Sequence, residues 1–114
     1  MKRVIYAGTE FLTGDRIAAA LMRYSGALAE AGQAETIAVP AVGDDGSVVE
    51  VMVLIGPASQ IVAQDADTDH PELVDEAVIG ELDAKAGRLT PTAVVETEPA
   101  FGADWDGASS TDDI

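Results

Sequence analysis

The sequence predicts an α+β fold: an antiparallel sheet of about four to five strands with two helices packed on one face, followed by an acidic C-terminal tail. Three observations carry this reading. Residues 15–31 and 71–86 each place apolar side chains on one helical face and stop at a glycine. Short β-branched runs lie around them, separated by glycine-containing turn signals. Beyond residue 98 the composition changes to Gly, Ser and Asp with isolated aromatics.

The elements follow in order. Residues 3–6, "RVIY", read as a short strand ended by Ala7 and Gly8, and residues 9–13 return as a second. A helix over 15–31 follows, with Thr13 as its expected N-cap and Gly32 as its stop. Ile17, Leu21, Tyr24 and Leu28 form its apolar stripe. Gly26 inside it costs roughly 1 kcal/mol relative to alanine, which predicts a close neighbour there. In "AETIAVPAV", Pro40 cannot donate to a ladder, so this strand belongs at an edge or carries a bulge. "GDDGS" is a hairpin turn. In the strand over 48–55, Val49, Val51, Val53 and Ile55 point one way, and Glu50, Met52 and Leu54 point the other. "GPAS" turns the chain into a strand over 60–64. The second helix covers 71–86, with Leu73, Ala77, Val78 and Leu82 on its apolar side and Gly87 as its stop. Residues 92–96 suggest a last strand. The order is β(β)αβββα(β), with one domain over 1–98 and a flexible, acidic, aromatic-containing tail over 99–114.

Charge dominates the composition. Twenty-one Asp and Glu oppose six Lys and Arg, for a formal net charge of −15, and no basic residue lies between Arg23 and Lys85. Binding to nucleic acid requires a basic footprint, so a direct nucleic-acid or anionic-membrane partner is not expected. The field favours cations and cationic partners. Host-wide acidity is the simpler origin of such a composition. The absence of cysteine excludes disulfides and thiolate chemistry. No apolar run approaches the roughly 18 residues of a membrane span, which gives a cytoplasmic expectation.

"DADTDHPELVDE", residues 65–76, has the ligand spacing of a calcium loop: Asp65, Asp67, Asp69 and Glu76 fall at its first, third, fifth and twelfth positions. The sixth position, which needs glycine, is His70, and Pro71 pushes it toward extended backbone. A helix entrance accounts for the same residues, with Asp69 as N-cap, Glu72 completing a capping box and Pro71 in the first turn. No metal or cofactor is expected, the four carboxylates being at most a weak, nonspecific cluster.

"AGTEFLTGDRI" fails as a phosphate loop, because Asp15 and Arg16 stand where lysine and a hydroxyl are required. His70 is the only histidine, and Ser59 lacks a nucleophile elbow. No catalytic residue is assigned.

Two surfaces remain as binding candidates. Met52, Leu54 and Val62 lie on the sheet face the helices leave open, which predicts self-association as a homodimer unless the tail or an end strand covers them. In the tail, Phe101 and Trp105 stand among Asp104, Asp106, Asp112 and Asp113, with Ile114 at its end. Aromatics fill pockets while carboxylates steer toward a basic groove. Thr111 is a weaker phosphoacceptor candidate.

The opening "VIYAGTEFLTGDRIAAAL", the "LIGPASQIV" hairpin and the acidic end resemble small acidic proteins of actinobacteria. No activity is assigned to those proteins, so the resemblance implies no functional residue. The expectation is a non-enzymatic protein-binding or assembly module whose protein partner is unspecified. Two alternatives stand beside it: an acidic decoy that occupies a nucleic-acid site on another protein, and a small enzyme using carboxylates.

Overall fold

The computed structural model describes residues 1–89. Strands β1 (Lys2–Tyr6), β2 (Thr9–Thr13), β3 (Glu35–Val42), β4 (Val48–Ile55) and β5 (Ile61–Asp65) form one antiparallel sheet in the spatial order β4-β3-β2-β1-β5. Helices α1 (Asp15–Ala31) and α2 (Glu76–Leu89) complete the expected α+β fold. The strand expected at 92–96 and the tail residues Phe101, Asp104, Trp105, Asp106, Asp112, Asp113 and Ile114 lie outside the described residues. Among the described residues, no helix is long and apolar enough to cross a membrane.

The core follows from the two periodicities. Ile17, Leu21, Tyr24 and Leu28 bring the α1 stripe onto Val4 of β1, Ile37 and Val39 of β3, and Val53 and Ile55 of β4. From α2, Ile79 and Leu82 join them. The helices run side by side in the same direction. Arg16 meets Glu76 in a two-pronged contact of 2.6 and 3.0 Å, and seven residues further along each helix Arg23 meets Asp83 at 2.8 Å. These pairs are exposed and align the helices more than they stabilise them.

Pro40 explains how β3 is placed. Between β2 and β3 the register consists of Leu12 opposite Val42 alone, because the chain leaves β2 for α1 after Thr13. Residues 35–40 of β3 therefore pair with β4 only. The missing N–H of Pro40 falls on the side that has no strand to receive it, where it costs little. Buried Thr13 completes the junction, its hydroxyl donating to the Pro40 carbonyl at 2.7 Å. The expected N-cap hydroxyl is thus used elsewhere, and Gly14 occupies the N-cap position without a side-chain cap of its own.

That cap comes from a residue distant in sequence. The Glu72 carboxylate accepts the Asp15 N–H at 2.6 Å and also meets the Met1 ammonium at 2.9 Å. This corrects the capping box expected at 69–72, since Glu72 caps α1. α2 begins at Glu76, where the Asp75 carboxylate accepts the Val78 N–H at 3.1 Å. Residues 66–75 instead pass close over the start of α1. A Cβ on Gly14 would sit 1.7 Å from the Leu73 carbonyl oxygen. α2 continues through Gly87 to Leu89, while α1 stops as expected at Gly32, in left-handed backbone. Gly26 has no neighbour within 4 Å of its would-be Cβ, so the close approach expected there does not occur.

Candidate interaction surface

The open face is built by the alternation of β4. Val53 and Ile55 are buried, whereas Val48, Met52 and Leu54 are 58, 63 and 57 % exposed. On the far side of the sheet, Val62 of β5 is 49 % exposed and lies opposite Ile5 of β1. The structure therefore places Met52, Leu54 and Val62 in solvent on that face. The free surface is long: β4 is an eight-residue strand whose only charged side chain is Glu50.

β4 and β5 are the two outer strands, yet residues 56–60 alone connect them. Six peptide steps reach at most about 20 Å, roughly the width of a flat five-stranded sheet before any offset along the strands. So short a link leaves the sheet little room to stay flat. Its edges approach where the Tyr6 hydroxyl donates to the Leu54 carbonyl. A cleft of about 720 Å³ opens there, lined by Ile5, Leu54, Val62, Pro57 and Ala58 among others. Its rim includes the tight turn at Ala7 and Gly8, both at positive φ (53° and 80°). Positive φ at both central positions is the twist that a two-residue hairpin favours, and alanine is an unusual residue to adopt it. The cleft thus brings together Leu54 and Val62, far apart in the sheet order. Met52 borders a smaller cavity of about 290 Å³ with Ala38, Val78 and Lys85.

Two of the four candidate carboxylates at 65–76 go to separate cations. Asp65 pairs with Lys2 and Glu76 with Arg16, and each contact holds its carboxyl below the usual carboxylate range. Asp67 and Asp69 lie in the connecting segment before α2, outside any helix. Among the described residues, no group of three or more His, Asp or Glu is arranged to hold a metal ion. His70 ties the segment to the β3–β4 hairpin: its Nε2 lies 3.0 Å from the Gly46 carbonyl oxygen and its Nδ1 2.7 Å from that of Pro71.

One polar cluster escapes sequence reasoning. The buried Tyr24 hydroxyl of α1 donates to Glu35 at the start of β3, and Lys85 of α2 reaches the same carboxylate at 3.2 Å. Burial, then the hydrogen bond to Glu35, pushes Tyr24 up to about 12. The hydrogen bond from Tyr24, ahead of that from Lys85, holds Glu35 below its ordinary value. An acid–base pair needs values drawn toward neutrality, and both of these move away from it. The cluster fastens α1, β3 and α2 together. No local signal marks it, because its members come from three elements.

No family model, curated protein or solved structure matches this chain.

Proposed function

We propose that the chain is a non-enzymatic protein-binding or assembly module whose working surface is the open sheet face, with Met52, Leu54 and Val62 as contact residues. The observation that carries this is the exposure of large apolar side chains along β4 and β5. Contiguous apolar exposure of this kind marks interaction surfaces. The Tyr24–Glu35 cluster supports the reading from the other side, since its groups are held in their unreactive forms. The carboxylates also favour it over a nucleic-acid mimic: they are spread over the 43–47 hairpin, the 65–76 segment, both helices and the sheet. A mimic needs them along one face at phosphate-like intervals of roughly 7 Å.

The test replaces Met52 and Leu54 together by lysine. Exposed apolar positions tolerate charge with little change in stability. The double variant should therefore melt like the parent while losing proteins retained by the immobilised full chain. Unchanged retention would remove the open face from the function.

A further inference from the structure

We propose that the outer edge of β4 takes up an extended segment of a partner protein as an added strand. The partner segment carries apolar side chains opposite Val48 and Met52 and a Lys or Arg opposite Glu50. This rests on the binding-module reading and names the partner's chemistry for the same surface.

The hairpin geometry fixes which backbone groups are available. The Gly43 N–H donates to the Ser47 carbonyl at 2.7 Å, so these residues form a hydrogen-bonded pair. Pairs in an antiparallel ladder alternate, which makes Val42 opposite Val48 a non-bonded pair, and likewise Pro40 opposite Glu50, Ala38 opposite Met52 and Thr36 opposite Leu54. The N–H and C=O groups of Val48, Glu50, Met52 and Leu54 therefore point away from β3, toward the outside of the sheet. The Tyr6 hydroxyl takes the outward Leu54 carbonyl. No other described element pairs with β4 beyond β3, which leaves the outward groups of Val48, Glu50 and Met52 open. The same three residues present their side chains on the open face, so an added strand gains backbone hydrogen bonds and apolar contact together.

Charge selects the occupant. No Lys or Arg lies between residues 24 and 84, so the β3–β4 hairpin carries Asp44, Asp45 and Glu50 with no cation of its own. A second copy of the chain would bring the same carboxylates and the same net charge of −15 to this edge. A cationic strand meets Glu50 directly, and beyond the Val48 end it meets Asp44. Because the Tyr6 contact closes the ladder at Leu54, the added strand spans residues 48–52.

Amide hydrogen exchange on the full chain, read by NMR, tests this with a short capped peptide carrying valine, lysine and valine at alternate positions, with threonine between them, as the probe. Saturating peptide should slow the N–H groups of Val48, Glu50 and Met52 by about tenfold or more, while Val49, Val51 and Val53, already bonded to β3, keep their rates. The same peptide with glutamate in place of its lysine should leave all six unchanged. Glu50→Lys should reverse this preference, a result that a general loss of fold would not give. Four results would overturn the proposal. Slow exchange at these amides without peptide, independent of concentration, would place the chain's own residues 90–114 on the edge. Slow exchange that appears with concentration would make a second copy the occupant. Peptide that shifts the Ile5, Leu54 and Val62 resonances while the three amides stay fast would move binding to the face alone and leave the module reading standing. Absence of any peptide effect would also reject the strand. Loss of the module reading itself is reported separately by the lysine double variant at Met52 and Leu54.

Discussion

Replacing Tyr24 by phenylalanine keeps the buried ring and removes the hydroxyl that Glu35 accepts. The tyrosine is pushed from 10.0 up to about 12, first by burial and then by the carboxylate beside it. Because the folded value lies above the unfolded one, the neutral phenol contributes stability that is fully present below pH 10 and is lost as pH rises toward 12. At about 1.4 kcal/mol per unit the full contribution is on the order of 3 kcal/mol, of which about half is gone by roughly pH 11. Urea denaturation followed by far-UV circular dichroism, repeated from neutral to alkaline pH, gives both proteins' unfolding free energies on one scale. At neutral pH the variant should be less stable by about 1 kcal/mol, the usual net worth of a hydrogen bond, because Glu35 keeps Lys85 and access to water. The parent should then lose its advantage with rising pH, and the two curves should cross between about pH 10 and 11. Glu35 gives a second reading of opposite sign. Its folded value is depressed, first by Tyr24, so its contribution is present above the ordinary carboxylate value and lost as pH falls below it. The variant should show a shallower acid limb as well. Parallel curves for parent and variant across the alkaline range would refute the assignment of this tyrosine as the group that titrates with unfolding.

Two further substitutions probe how residues 66–75 are seated. Gly14→Ala places a methyl 1.7 Å from the Leu73 carbonyl oxygen, where both sides of the clash are backbone, so the segment must lift or the helix must shift. A loss of roughly 2 kcal/mol or more is expected in urea denaturation, and a loss within error would mean that Leu73 is not held against the α1 entrance. Glu72→Ala removes the cap on the Asp15 N–H and should cost about 1 kcal/mol, with faster amide exchange confined to the first turn of α1. Fraying at the start of α2 instead would return Glu72 to the local capping role.

What the sequence discloses follows from how local each cause is. The β4 pattern is readable because burial on one face repeats every second residue, and the structure keeps that phase from Met52 to Ile55. α1 is readable at its end because Gly32 satisfies its carbonyls in left-handed backbone within one turn. The start of α2 misleads for an equally physical reason. Asp69, Pro71 and Glu72 meet every local rule for a helix entrance, but the Glu72 carboxylate finds donors at Asp15 and Met1, and Asp75 supplies an alternative cap a few residues later. Propensity proposes several starts, and tertiary contacts choose among them. The curl of the sheet is invisible for the same reason. It depends on the Tyr6 contact with Leu54, two residues with no pattern in common.

The apolar edge and the acidic composition are best understood together. An exposed strand of eight residues with a single carboxylate, lacking proline or a lysine row, is in most chains an invitation to pair with a copy of itself. Proteins usually blunt such an edge with charge on the strand itself. Here β4 carries only Glu50, and the protection comes from the field of the molecule, in which fifteen net negative charges meet fifteen more whenever two copies approach. The same field lowers the barrier for a cationic strand. Screening then separates two consequences of one cause. Rising salt should weaken binding of a valine–lysine peptide, by removing attraction, and in the same range should promote self-pairing, by removing repulsion. An edge whose fitness depended on side-chain shape alone would respond to salt in neither way.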